Sequence, residues 1–200
     1  MKHSFISRQF FPDNSAAAPV EPAKLLSGKI WVTMFPGLKT LDALKSPFKE
    51  NITAFINALK EAGASVVISA TLSPPQRAYL MHYSFLIAKQ QQDPRTVPPM
   101  NDVHIEWFHG NLPDSVKAAK EMVAAFGIAT STTAPALQSN HIAGNAVDIT
   151  ITGFEGKQIK KANGSKATAN NFNDLIKIGE TYNVFHKLPD DKPHWSATGR

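Results

Sequence analysis

The sequence predicts an α+β domain rather than a doubly wound parallel sheet, on three observations. Helical apolar periodicity fills the first half, strand-like patterning gathers in the second half, and no internal repeat runs through either. The 200 residues amount to about one domain, and an apolar fraction of 42%, with 12 Phe and 3 Trp, is enough for a sizeable core. That composition excludes a disordered chain, which needs low hydrophobicity and high net charge. No apolar run approaches the ~20 residues of a bilayer span.

The elements follow in order. Residues 1–27, with Ala16-Ala17-Ala18-Pro19 and Glu21-Pro22, read as an arm or linker ahead of a domain spanning 28–200. The first ordered element is expected near Lys29-Ile30-Trp31-Val32. Ser46-Pro47 opens a helix, with Ser as N-cap and Pro at its first position. Phe48, Ile52, Phe55, Ile56 and Leu59 then recur at helical spacing until Gly63. Ser65–Ala70 is a short β-branched strand of the buried type, and Ser73-Pro74-Pro75 caps a second helix running to about Gln91.

Pro94, Pro98 and Pro99 make the next stretch a loop, after which Val103–Trp107 alternates as a strand. Asp114 or Ser115 begins a third helix, patterned by Val116, Lys120 or Ala119, Val123 and Phe126 and ended by Gly127. From Ala134 to Ile151 the pattern reads as strands around a Gly144-Asn145 turn. A last helix lies near Asn171–Thr181, with Leu175, Ile178 and Tyr182 on one side, and the chain closes in a short strand or turn.

Composition narrows the chemistry. With no cysteine in the chain, disulfides, thiol catalysis and thiolate metal sites are excluded, so any metal must sit on His, Asp or Glu. The formal net charge of +5 is not concentrated into runs. The loosest cluster, Lys157, Lys160, Lys161 and Lys166 among Gly, Asn and Ser, reads as a solvated loop, with contact to an anionic polymer as the alternative, and no nucleic-acid partner is expected. The first ten residues carry a basic residue but no sustained apolar segment, so no signal peptide is expected.

The informative stretch is Ser139-Asn140-His141-Ile142-Ala143-Gly144-Asn145-Ala146-Val147-Asp148. Gly144-Asn145 tolerates positive φ and suits a turn. Beyond it, Ala146, Asp148 and Thr150 share one strand face while Val147, Ile149 and Ile151 share the other. A hairpin at the turn brings His141 alongside Asp148, a start for a zinc site. Near the end of the chain, Asp190-Asp191-Lys192-Pro193-His194-Trp195 sets a second histidine three residues after an acid. A catalytic zinc needs three protein ligands and an open position, which His141, Asp148 and His194 supply; Asp191 is then left to handle a proton. The same residues also read as a hydrogen-bonded hairpin pair and a solvated turn. The chain has no His-Glu-x-x-His, Gly-x-Ser-x-Gly, P-loop or Rossmann fingerprint.

Ser139-x-His141-x-x-Gly144-x-Ala146-x-Asp148, followed by Asp191-x-Pro193-His194, resembles the zinc D-alanyl-D-alanine carboxypeptidases and L-alanyl-D-glutamate endopeptidases. The resemblance implies the hedgehog/D,D-peptidase fold, an antiparallel sheet with helices on one side and a zinc site in the cleft. It implies His141, Asp148 and His194 as ligands of one Zn2+, Asp191 as general base, and peptidoglycan stem peptides as substrate. The family's upstream arginine is Ser73 here, and Arg77, one helical turn on, is the candidate to replace it. The segment after His194 also departs from the family's aromatic-then-Glu ending, reading Trp195-Ser196.

Ser139, Trp195 and Tyr79 are candidates for substrate contact, with core packing the alternative for both aromatics. His82 and Tyr83 read as core or groove residues, His104 and His109 as neighbours of a strand edge, and His186 as a possible donor to an oxyanion. Lacking the usual arginine, the chain favours an endopeptidase over a carboxypeptidase. Together with the missing leader, this points to a monomeric phage-type lysin, or to an effector exported by a secretion apparatus and paired with an immunity protein. Either acts in the periplasm or cell wall. Two other classes stand beside it: a non-catalytic cell-wall or signalling module that keeps the fold, and an α+β interaction domain without metal.

Overall fold

The computed structural model describes residues 22–200. A three-stranded antiparallel sheet sits at the centre, with β2 (Ser65–Ala70) and β7 (His194–Ser196) flanking β4 (Ala146–Thr152). Two two-stranded sheets accompany it, so the fold is α+β with open sheets. One is β1 (Leu25–Leu26) parallel to β3 (Ile105–Glu106); the other is the hairpin of β5 (Lys157–Lys160) and β6 (Lys166–Ala169). No helix among the described residues is long and apolar enough to cross a membrane.

Two apolar cores hold these pieces. In the first, α2 (Phe48–Glu61) and α6 (Phe172–Glu180) pack on the sheet face that carries Val147, Ile149 and Trp195. Phe48, Ile52, Phe55, Ile56 and Leu59 of α2 are all buried there, as their helical spacing predicts. Trp195 is fully buried, its ring 5.4 Å from that of Phe55 and 5.8 Å from that of Phe172. The second core joins the short α1 (Trp31–Met34) to α3 (Pro75–Ala88) and α4 (Leu112–Phe126) through Trp31, Tyr79, Trp107, Met122 and Phe126.

Several expectations are corrected. The segment before β4 is not a hairpin arm but a four-residue helix, α5 (Asn140–Ala143). The Ser139 hydroxyl accepts from the Ile142 N–H, and Gly144, at φ +74°, closes the turn in the left-handed region. A Cβ on Gly144 would also stand 3.1 Å from Lys45 Cγ.

The lysine cluster is a strand pair rather than a bare loop, because Ile159 and Ala169 anchor it in the first core. The end of the arm is ordered as well: Leu25 and Leu26 pair with β3, while residues 1–21 lie outside the described residues. Strand β2 is an edge strand with Val67 60% exposed, not a strand buried on both faces. Ser46 does not cap α2; its hydroxyl donates to Glu50 Oε1 at 2.7 Å. Helix α4 starts earlier than Asp114, because the Asn111 side chain accepts from the Asp114 N–H and caps it.

Gly179 gives a sharp test of the first core. A Cβ there would lie 2.8 Å from the Trp195 ring and 3.0 Å from the Val184 carbonyl oxygen. Helix propensity favours Ala by ~1 kcal/mol, but overpacking of a closed site costs ~1–3 kcal/mol. Gly179→Ala is therefore expected to lower stability by up to about 2 kcal/mol in urea unfolding; a more stable variant would show that this contact is looser than described.

Candidate metal centre

Two constraints place the three donors of the site. Strand pairing sets Asp148 opposite His194 across β4 and β7, so the two side chains share a face and Trp195 turns to the other. Helix α5 ends immediately before β4 and carries His141 back over that face. The ring of His141 is fixed by its Nδ1, which donates to the Thr71 carbonyl at 2.6 Å. With the proton committed there, Nε2 presents its lone pair to the cluster, the arrangement by which outer partners orient metal-binding imidazoles.

The loop carrying Thr71 is itself tied on both sides. The Ser73 N–H donates to the His141 carbonyl, and the Leu38 backbone pairs with both Thr71 and Leu72.

Three donor atoms converge. His141 Nε2 lies 3.1 Å from Asp148 Oδ1 and 3.2 Å from His194 Nδ1, and His194 Nδ1 lies 3.3 Å from Asp148 Oδ1. Tetrahedral coordination at bond lengths of about 2.0–2.1 Å separates neighbouring ligand atoms by about 3.3–3.4 Å. The triangle is therefore close to one face of such a tetrahedron, and an N2O donor set suits zinc. The residues present fit a divalent ion.

Burial works to lower the His141 pKa, but its hydrogen bonds to Asp148 and Thr71 and the charges of Asp148 and Asp191 hold it above the ordinary histidine value. Burial works to raise Asp148, yet hydrogen bonds and charge from the two imidazoles hold it well below the carboxylate range. The cluster is thus an anionic pocket facing two nitrogens, where a proton competes with a cation for the same place.

Two cavities meet at the cluster. One, of about 380 Å³, is lined by His141, Asp148 and Ser139 together with Lys39, Ser73 and Arg77. The other, of about 540 Å³, is lined by Ser139, His141, Asp148 and His194 together with Asp191 and Arg200. Asp191 is exposed and stands outside the converging triad, its carbonyl accepting the His194 N–H at 3.0 Å. Arg77 lines the first cavity, but its Nη1 donates to the Val32 carbonyl at 3.2 Å and its guanidinium lies 5.0 Å from the centre of the Phe126 ring. Ser139 caps α5 at the junction of both cavities.

Other sequence candidates fall elsewhere. Trp195 is fully buried beneath the sheet and is a core residue rather than a substrate contact, as strand alternation with His194 requires. Tyr79 is buried in the second core; its hydroxyl donates to the Pro98 carbonyl and accepts from Trp107 Nε1, and it lines neither cavity. His82 Nδ1 donates to the Pro135 carbonyl at 2.8 Å, bracing a loop of the first cavity. His109 pairs with Ser27, and His104 with Trp107 lies at the β1–β3 edge. His186 packs on Phe172 and Trp195, away from the triad, and lines a separate cavity.

The Thr71 carbonyl, Lys39 and Arg200 escape sequence reasoning: the first is backbone, Lys39 lies far from either motif, and Arg200 follows the second motif without belonging to its pattern. No protein-family model matches the chain, and no curated protein matches it.

Asp148, depressed, stabilises the metal-free fold above its unfolded value of about 3.9, and that contribution is lost as pH falls through the folded value. His141, raised, stabilises below about 6.5, and its contribution is lost as pH rises through the folded value. Ion binding needs neutral imidazole, so the gain in melting temperature on adding zinc is expected to be larger at pH 8 than at pH 5.5. Loss of that gain in His141→Ala and Asp148→Ala is the accompanying expectation; an equal gain in the variants would place the ion elsewhere.

Proposed function

We propose that the protein is a zinc-dependent peptidoglycan peptidase of the hedgehog/D,D-peptidase type, hydrolysing an amide bond in murein stem peptides or cross-links. The observation that carries this reading is the triangle of His141, Asp148 and His194 donors, with edges of 3.1–3.3 Å, bordering two cavities. A structural ion would be closed by a fourth protein ligand, whereas three ligands beside open space suit catalysis. The likeness of the two motifs to the zinc stem-peptide hydrolases supplies the substrate class.

When bound, the ion supplies Lewis acidity, acidifying a water and polarising a carbonyl. The chain's own residues do the rest. His141 and His194 present neutral nitrogens, and Asp148 contributes the negative charge that balances the cation. Thr71, through its carbonyl, keeps His141 in one tautomer. Asp191 lines the same cavity as His194 without joining the triad, so it is free to accept a proton from the attacking water. It then delivers that proton to the leaving nitrogen as the amide bond breaks, which returns the carboxylate to its starting state. Arg77 adds positive charge to the wall of the first cavity.

Two cavities that share Ser139, His141 and Asp148 favour an endopeptidase, whose cleft must extend beyond the scissile bond. A D-alanyl-D-alanine carboxypeptidase is the second reading, favoured by the cations of the first cavity, which suit a terminal carboxylate. The substrate sets the place of action in the periplasm or cell wall. As a delivered effector the protein would be matched by an immunity protein.

Asp191→Asn is expected to retain one zinc per chain while cleavage of purified peptidoglycan falls by about 10²–10⁴-fold. Mass spectrometry of the released termini identifies the bond. Normal cleavage by the zinc-loaded variant would remove Asp191 from the reaction, and absence of new termini with the zinc-loaded wild type would remove the peptidase reading.

A further inference from the structure

The first cavity is unbalanced in charge. Lys39 and Arg77 line it, and its only acid is Asp148, whose carboxylate already belongs to the metal-binding triad. The two cations are not equivalent. Arg77 is partly buried and committed to the Val32 carbonyl and the Phe126 ring. Lys39 is exposed, and none of the ion pairs or side-chain hydrogen bonds among the described residues uses it.

The position of Lys39 is nevertheless built. Next to it, the Leu38 N–H donates to the Leu72 carbonyl and the Leu38 carbonyl accepts from the Thr71 N–H, each at 2.8 Å. One residue thus sits opposite two, a bulge that clamps the Lys39 segment to the loop whose Thr71 carbonyl orients His141. The Lys39 backbone is fixed relative to the metal centre while its ammonium remains free.

We propose that Lys39 is a specificity-determining residue that binds a free carboxylate on the substrate, close to the scissile amide. This rests on the peptidase reading above and deepens it: the preferred substrate is an acidic peptide. The carboxylate has two possible sources, the end of the peptide or an in-chain carboxyl group. Both present the same chemistry to the ammonium, and the ion pair forms only when the peptide enters the first cavity. Around this contact the apolar side chains of Leu38 and Met81 give the peptide a partly dry wall, which strengthens the pairing over that of a fully solvated pair.

The test uses the zinc-loaded full chain and stem peptides prepared in three forms: unmodified, amidated at the terminal carboxyl, and amidated at the in-chain carboxyl. Wild type is expected to lose about 3- to 30-fold in kcat/KM on one of the amidated forms, which identifies the source. Lys39→Gln should lose a similar factor on the unmodified peptide, through KM and with kcat nearly unchanged, and almost nothing on the form that wild type disfavours. Lys39→Arg should restore most of it, and zinc content should be the same in all three proteins.

Lys39→Gln matching wild type on every peptide, or losing equally on all of them, would overturn the proposal while leaving the hydrolase intact. If wild type cleaves none of the peptides, the hydrolase reading falls separately. Calorimetric binding of the same peptides then decides the role of Lys39, with equal Kd for wild type and Lys39→Gln overturning it.

Discussion

The site depends on one strand pairing. Asp148 and His194 face each other across β4 and β7, and the two-residue period of extended chain puts their donors on the same side. The same period sends Val147, Ile149 and Trp195 to the opposite side, where α2 and α6 bury them. A single register therefore serves both chemistry and stability. A slip by one residue would expose Trp195 to water and drive a charged carboxylate into an aromatic core, so the large apolar burial on one face enforces the placement of polar donors on the other.

The second layer of control is backbone. His141 is oriented by a peptide carbonyl rather than by a carboxylate, and the loop supplying that carbonyl is tied to α5 and to the Leu38 segment. A carbonyl cannot titrate, so whenever His141 is neutral its proton stays on Nδ1 and its Nε2 lone pair faces the cluster. The charges that hold His141 above its ordinary value are those of Asp148 within the cluster and Asp191 outside it. The same carboxylate that attracts a cation thus also attracts a proton, and occupancy by the ion is a competition decided by pH.

Much of this was visible in the order of residues. Long amphipathic helices such as α2 and α4 announce themselves through spacing, and Asn171 marks the start of α6. The triad is legible because alternation along β4 and the proximity of Asp191 to His194 are local facts. The turn at Gly144-Asn145 was not: a glycine in the left-handed region serves a hairpin and a helix end equally well, and four residues of α5 are too few to display a helical period. Strands β1 and β3 have two residues each, and β5–β6 hides its apolar anchors, Ile159 and Ala169, among lysines. The pairing of Leu38, the neighbour of Lys39, with the Thr71 loop joins segments over thirty residues apart through backbone hydrogen bonds, which leave no mark on side-chain identity.

The donors arrive at different stages along the chain: two lie within eight residues of each other around α5 and β4, and the third rides on β7, after the hairpin and α6 have been laid down. An ion gripped by all three can therefore be held firmly only once the final strand has docked. Coordination becomes a seal on a completed molecule, coupling cation occupancy to assembly of its C-terminal portion.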